Sequence, residues 1–429
     1  MLGCIVGVLA LAIVLHTIST GVRVTRVIQH LDQPSEAELG EQPATAAEQL
    51  CTHLPILRID TDGAPIPHVN HAGEPQDDNP AGTRVDPECT VELLYTEGRW
   101  NLEMDEPALT AGGTIRIRGN SSRNFDKKSY LLHFMDENGQ AEKYTLLGME
   151  KASEWVLNGP ILDRTLMRNY LCYNIVGQAM SFSPDVRYCE LILNGEYRGV
   201  YVLTEAITKD QGRVVLTEPS GSSPTTSWLV RWDRDGKGDT PLDAFNYYTL
   251  RAGVSGVDLR YPGRNTLTPS RALYVTAELS QIEEEVAVTG TSDKLDLQAF
   301  AEYFVFNEFF GNIDAGRFST YYYKDVRGKM TPVVWDFNNA CDNYISYVYD
   351  TSGFYLVNAP LFSDLLKSKE FVSLVIEEYR LLRTTVLSDA YMTGFIDDTV
   401  AYLGSAVDRN YDVWGYLFTL GGEEDLNYL

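Results

Sequence analysis

Two aspartates, Asp314 and Asp336, carry the strongest chemical signal in this sequence. Each stands just past the end of an expected ordered element, flanked by short polar residues instead of the Lys or Arg of a surface ion pair. Side chains at such chain ends project into clefts. Phosphoryl transfer asks for a carboxylate that takes the proton of an attacking hydroxyl, and for another that holds a divalent cation against the phosphates. It also asks for cationic groups that neutralise the remaining charge. Asp314 fits the base and Asp336 the metal ligand; Lys127 or Lys128, with Arg164 and Arg168, fits a phosphate clamp; Glu205 fits a partner that holds the lysine. Taken singly, each has a plainer reading, the acids as turn residues and the arginines as a solvated helix face, so the weight rests on the combination.

The elements that must position these groups are legible as patterns. Residues 114–118 and Ser129–Phe134 read as strands around a polar loop at 119–126. Asp163 is placed to cap a helix that turns Leu166, Met167, Tyr170, Leu171 and Ile175 inward, with Arg164 and Arg168 four apart on another face. Residues 190–203 read as a hairpin about Asn194 and Gly195, with Glu205 at its end. A strand is expected at 228–232. Residues 296–310 repeat Leu297, Phe300, Ala301, Phe304, Val305 and Phe309 at helical spacing and stop at Gly311, which leaves Asp314 on a loop. A hairpin over 319–324 and 329–335 then delivers Asp336. Tyr321, Tyr322 and Tyr323 must alternate between its faces, which favours core packing over adenine stacking. Helical patterns at 361–387 and 390–409 close the chain.

The whole chain has 429 residues, 60 Asp+Glu against 35 Lys+Arg, and a formal charge of -25, which excludes nucleic acid as a general partner because phosphate backbones are held by clustered cations. The length suggests one large domain with an appendage, or two lobes. Residues 2–22 hold no Asp, Glu, Lys or Arg, so 1–22 read as a signal peptide or weak membrane anchor, with a buried core helix as the alternative. Positive charge follows the run at Arg23 and Arg26, which leaves the orientation across a membrane open. Residues 23–50 read as an acidic, solvated linker and 51–105 as a small β-rich module. Cys51 and Cys89 flank that module and fit a disulfide if the chain is exported; the plainer expectation is six mostly buried free thiols, with no spacing suited to zinc.

Four segments in order resemble the CotH kinases of spore coats, atypical protein kinases that transfer phosphate from ATP to Ser or Thr of surface proteins. They are residues 118–130 (RGNSSRNFDKKSY), 155–169 (WVLNGPILDRTLMRN), 194–205 (NGEYRGVYVLTE), and 307–314 (NEFFGNID) with 334–337 (VWDF). The likeness runs over roughly residues 106–415. It implies an α+β, atypical protein-kinase-like two-lobed domain over 106–420, with an N-lobe at about 106–250 and a C-lobe at about 291–420, beside the small N-terminal β-rich module. By the same resemblance, Asp314 is the catalytic-loop acid and Asp336 the metal-binding acid. Arg118, Asn120, Ser121, Ser122, Lys127 and Lys128 lie in the loop over the ATP phosphates, and Arg164, Arg168 and Glu205 complete the cofactor site.

Two positions depart from the family pattern. Many relatives place an Asn five residues after the catalytic acid, where this chain has Ser319, and an Asp after the Trp-Asp-Phe triplet, where it has Asn338 and Asn339. The metal oxygens then come from Ser319, Asn338, Asn339 or Asp342, or only one magnesium is bound. The implied cofactors are ATP and Mg2+, the partner a protein with Ser or Thr acceptors, and the location the cell membrane or the exterior, reached through the N-terminal apolar segment. Two other classes stay open: a surface binding or structural module that keeps the kinase shape without turnover, and a metal-dependent hydrolase that uses the same acids.

Overall fold

A closed seven-stranded sheet organises the first half of the chain in the computed structural model, which describes residues 26–45, 49–67, 86–119, 121–233, 242, 256–343 and 353–418. Its strands are β1 (Ile56–Asp60), β2 (Glu88–Leu94), β3 (Leu109–Arg118), β4 (Ser129–Phe134), β5 (Glu154–Asn158), β6 (Val186–Leu193) and β7 (Glu196–Glu205). They follow the order β1-β2-β3-β4-β5-β7-β6, and a parallel pairing of β1 with β6, from Ile56 opposite Glu190 to Ile59 opposite Leu193, closes the ring. Alternate residues fill the interior: Ala111, Ile115 and Ile117 of β3 meet Leu132, Trp155, Leu157, Leu191 and Leu203. Strand β6 is buried along its whole length because its outer face is also covered, by helix α1 (Arg168–Val176), whose Tyr170 ring stacks on Tyr188 at 4.1 Å. The β6–β7 turn takes left-handed φ at Asn194 (52°) and Gly195 (74°), the geometry that an Asn-Gly pair favours.

This barrel corrects the expected small β-rich module at residues 51–105. Strands β1 and β2 are staves of the same barrel as β3 to β7, so a boundary near residue 105 would cut through one hydrogen-bonded sheet. An isolated strand pair has no second layer against which to bury its apolar face, and here the barrel supplies it. The expected disulfide falls with the module. Cys51 and Cys89 are both free. Ile56 pairs with Leu94, so Cys51, five residues before Ile56, and Cys89, five residues before Leu94, lie toward opposite ends of an antiparallel pair.

The second half builds an antiparallel sheet from β8 (Trp228–Asp233), β9 (Gly256–Tyr261), β10 (Thr320–Lys324) and β11 (Thr331–Val333), ordered β9-β8-β10-β11. Helices α2 (Pro269–Thr289) and α3 (Leu297–Phe309) pack with it. Thr268 caps α2 by accepting from the Arg271 amide, and Asp296 caps α3 by accepting from that of Ala299. Tyr322 is fully buried and stacks on Phe300 at 5.7 Å, so the tyrosine run serves the core. The two long closing patterns are each broken once. Phe362–Leu365 precedes α4 (Lys369–Arg383), capped by Ser368, and α5 (Asp389–Leu403) stops at Gly404 before α6 (Ala406–Trp414).

Part of the expected linker is structural. Residues 26–39 dock as a strap: Arg26 pairs with Asp185 at 3.2 Å and donates to Asn174 and to the Ser183 and Pro184 carbonyls. Gln29 exchanges two hydrogen bonds with the backbone of Tyr188, and Ile28, Gln29 and His30 are buried. Burial lowers the His30 pKa to about 4, so the ring is neutral beside the Tyr170 hydroxyl. A Cβ on Gly177 would stand 1.8 Å from the Arg26 guanidinium, so a side chain there would push Arg26 out of this position. The apolar segment 1–22 lies outside the described residues; among those described, no helix is long and apolar enough to cross a membrane. Because breaking a buried ion pair leaves one charge uncompensated, Arg26→Ala should cost about 3 kcal/mol in denaturant unfolding. A solvated linker would leave the midpoint unchanged.

Glu283 of α2 is 4 % exposed, and its carboxyl has an oxygen with no hydrogen-bond partner among the described residues; burial pushes its pKa up to about 9. The unfolded chain ionises this group near 4.5 while the folded chain keeps the proton. Stability is therefore unaffected below pH 4.5 and falls as pH rises toward 9. Glu283→Gln should flatten that decline in unfolding measured between pH 5 and 9; an unchanged slope would place a compensating partner beside the carboxylate.

Candidate active site

The antiparallel register brings three chain ends to one edge of the second sheet. Trp232 pairs with Thr320 and Tyr321 with Val333, so Asp233 at the end of β8, Ser319 before β10 and Asp336 after β11 share that edge. Asp314 reaches it from the turn after α3, where its carbonyl accepts from the Arg317 and Phe318 amides. The two loops are joined directly: Asn339 donates to Asp314 Oδ2 at 3.1 Å. Asp336 also feels the Asp314 charge. Its pKa is raised, first by burial and next by Asp314, with Asp233 adding to the shift, while Arg118 and the Asn338 side chain act the other way. The two expected acids are therefore brought together, facing a cation at Arg118.

Helix α1 holds the Asp336 loop from behind. Asn169 Oδ1 accepts from the Phe337 amide (2.9 Å), and the Tyr173 hydroxyl, one turn later, accepts from the Asp336 amide (2.9 Å). Consecutive loop amides thus meet side chains four apart on one helix face. Asp336 adopts φ 59°, a left-handed conformation that costs a non-glycine residue roughly 1 kcal/mol or more and persists where the surroundings over-determine it. Arg168 donates to the Ala340 carbonyl (2.9 Å) and the Cys341 carbonyl (3.3 Å) and pairs with Asp163. The Arg118 guanidinium lies 5.3 Å from the centroid of the Trp335 ring, which also packs on Tyr173 and Tyr321.

Several expected roles are corrected by these contacts. The helix starts at Arg168, not after Asp163, because Asp163 caps a tight turn: it accepts from the Thr165 and Arg168 amides while Leu166 takes φ 60°. Arg164 is thus on the exposed turn before the helix, and the two arginines are not a one-turn pair. Arg168 donates to Asp163 and to two carbonyls of the Asp336 loop. Glu205 does not hold the lysine. It accepts from the Asp185 amide (3.0 Å), whereas Lys127 Nζ donates to the Val200 carbonyl and to Asn410 Oδ1, both at 2.7 Å. Lys127 is fully buried, and burial lowers its pKa to about 7.

The remaining loop residues are placed as follows. Lys128 Nζ donates to the Arg123 carbonyl (2.7 Å), and Ser121 opens a 3-10 turn, Ser121–Asn124. Ser122 lies against Gly119, whose φ of 112° and 1.9 Å clearance to the Ser122 hydroxyl oxygen admit no Cβ. Asn120 lies outside the described residues. Asn338 is hydrogen-bonded through both ends of its amide. Its amide nitrogen donates to Asp336 (2.6 Å) and its oxygen accepts from Asn169 (2.8 Å), so it orients the aspartate. Ser319 stands at the shared edge with φ 48°. Sequence reasoning missed Asp233, Asn169 and Tyr173; the strand ending at Asp233, read in register with Ser319, was the signal available for the first.

Among the described residues no cluster of three or more His, Cys, Asp or Glu side chains is placed to hold a metal ion. Two adjacent carboxylates, one with raised proton affinity, are instead the donor set that a small hard cation uses when phosphates and water complete its shell. The family model described as CotH kinase protein matches residues 115–428. The chain belongs to the CotH kinase family. No curated protein matches it. The match takes in the Asp314 and Asp336 loops, α1 and most of the barrel, but β1 and β2, which complete that barrel, precede it.

Removing the Asp314 charge should lower the Asp336 pKa, and removing that of Arg118 should raise it. Carboxyl carbon NMR titrations of Asp314→Asn and Arg118→Met check both directions, and a midpoint indifferent to both would mean that the three groups do not share a site.

Proposed function

We propose that this CotH family member transfers the terminal phosphoryl group of ATP to Ser or Thr hydroxyls of a surface or spore-coat-type protein. The observation that carries this reading is the meeting of Asp314 and Asp336 at one sheet edge, tied through Asn339 and faced by Arg118. Asp314 takes the proton of the acceptor hydroxyl as its oxygen bonds to phosphorus and ADP leaves. Asp336, set by Tyr173 and Asn338, is the carboxylate that would hold Mg2+, with Ser319 and Asp233 beside it. Bound magnesium would neutralise charge on the phosphates. Arg118, fixed over Trp335, supplies a permanent positive charge on the same side.

The fold reading that goes with this is a two-lobed, kinase-like arrangement, the barrel as N-lobe and the second sheet with its helices as C-lobe, with β1 and β2 added to the N-lobe. The apolar segment at 1–22 leads the chain to the membrane or the cell exterior, and the strap at 26–39 holds the domain close behind it. A second reading is favoured by one observation: the Asn338 oxygen is already occupied by Asn169, and Ser319 replaces an amide donor. That reading is a module that binds nucleotide without transferring phosphate.

With radiolabelled Mg-ATP and a Ser-rich acceptor, the chain should incorporate phosphate. Asp314→Asn should lower the rate by about 10²- to 10⁴-fold, the contribution of a positioned base, while nucleotide binding persists. Asp336→Asn should abolish the magnesium dependence of nucleotide binding in calorimetry. Binding without transfer by the wild type would select the second reading; phosphate release without protein labelling would select a hydrolase.

A further inference from the structure

Three family motifs, at 118–130, 155–169 and 194–205, touch one element to which the sequence assigned no role, helix α6. Asn410 Oδ1 accepts from Lys127 Nζ (2.7 Å) and from the Val200 amide (3.1 Å). Trp414 donates to the Arg198 carbonyl (2.9 Å) and Tyr411 to the Arg164 carbonyl. Just past the helix, Tyr416 donates to Asp126 (2.6 Å). Phe125, Ile161 and Trp414 form a small apolar cluster of their own over this junction. The approach of helix to strand is close enough to require Gly199, where a Cβ would meet Asn410 Oδ1 at 2.6 Å and Trp414 Nε1 at 3.2 Å.

Lys127 lies three residues after the Ser121–Asn124 turn, and among the described residues its Nζ donates to two neutral oxygens, Val200 O and Asn410 Oδ1, beside the Tyr201 ring. Strand β3 fixes the segment where it enters at Arg118; the Lys127 anchorage fixes it where it leaves.

We propose that Asn410 is a positioning residue for nucleotide binding: by holding Lys127 against β7 it sets the Ser121–Asn124 turn, so the last helix of the chain tunes polyphosphate affinity without touching the ligand. This rests on the kinase reading above.

The test compares wild-type chain with Asn410→Ala and with the isosteric Asn410→Asp, which keeps an acceptor for Lys127. The readouts are calorimetric binding of a non-hydrolysable Mg-ATP analogue, transfer kinetics, and amide hydrogen exchange over residues 121–128. Losing the hydrogen bond that holds Lys127, together with that from the Val200 amide, should raise the analogue Kd and the KM for ATP about tenfold in Asn410→Ala. Its kcat should change less than about threefold, exchange over 121–128 should quicken, and Asn410→Asp should restore Kd to within about threefold of wild type. Should Asn410→Ala not fold, Asn410→Ser carries the same expectation. Unchanged affinity with quickened exchange would overturn the proposal and leave α6 a structural brace, as would a fall in kcat at constant KM. A wild-type chain that binds no nucleotide would overturn the kinase reading itself, and this proposal with it, whatever the variants do.

Discussion

Asp314 and Asp336 repel one another, and the surrounding structure is arranged to hold them near each other regardless. Like charges near one another in a half-buried site oppose each other, a cost that relaxes when one takes up a proton or when a cation comes between them. The Asp336 pKa is raised first by burial, and the Asp314 charge adds to that rise. What resists the repulsion is polar and local: Asn339 bridges the two loops, Asn338 and Tyr173 fix Asp336, and Asn169 anchors the next amide. On the kinase reading, two carboxylates fixed in this way would attract a cation without waiting for either to move.

Helix α1 is the bracket between the two halves of the molecule. One face lies on the barrel through Tyr170 and Tyr188, and another grips the Asp336 loop through Arg168, Asn169 and Tyr173. The strap reaches the same helix through Arg26 and Asn174. Arginine suits this bracing because its planar fork can satisfy several carbonyls while still pairing with a carboxylate, as Arg168 does with Asp163. Residues in these motifs therefore hold the Asp336 loop in place.

What was legible in the sequence was local. The Asn194-Gly195 hairpin, the α3 stripe and its end before Asp314, and the hairpin delivering Asp336 all follow from period and turn chemistry. The start of α1 was misplaced because an Asp before an apolar stretch signals a helix cap and a tight turn equally well, and Leu166 gives no hint of a left-handed φ. The holder of Lys127 was invisible for another reason: Asn410 lies 283 positions away, and a neutral amide in an amphipathic helix looks like a solvated residue. Composition likewise made residues 26–39 look soluble, because Gln29 and His30 are polar residues whose hydrogen bonds are made inside the fold.

The parallel closure of β1 onto β6 has a consequence for how the chain comes into being. Strand β1 pairs with β2 soon after both emerge, but its other edge stays open until residues near 190 have been made, and the strap must wait for the same segment and for helix α5 beyond it. During translation the barrel is thus an incomplete ring with an apolar interior and a bare edge, the kind of intermediate that pairs with the wrong neighbour. Closure of the ring is thus a late event by topology alone, since no stave before residues 190–193 can complete it.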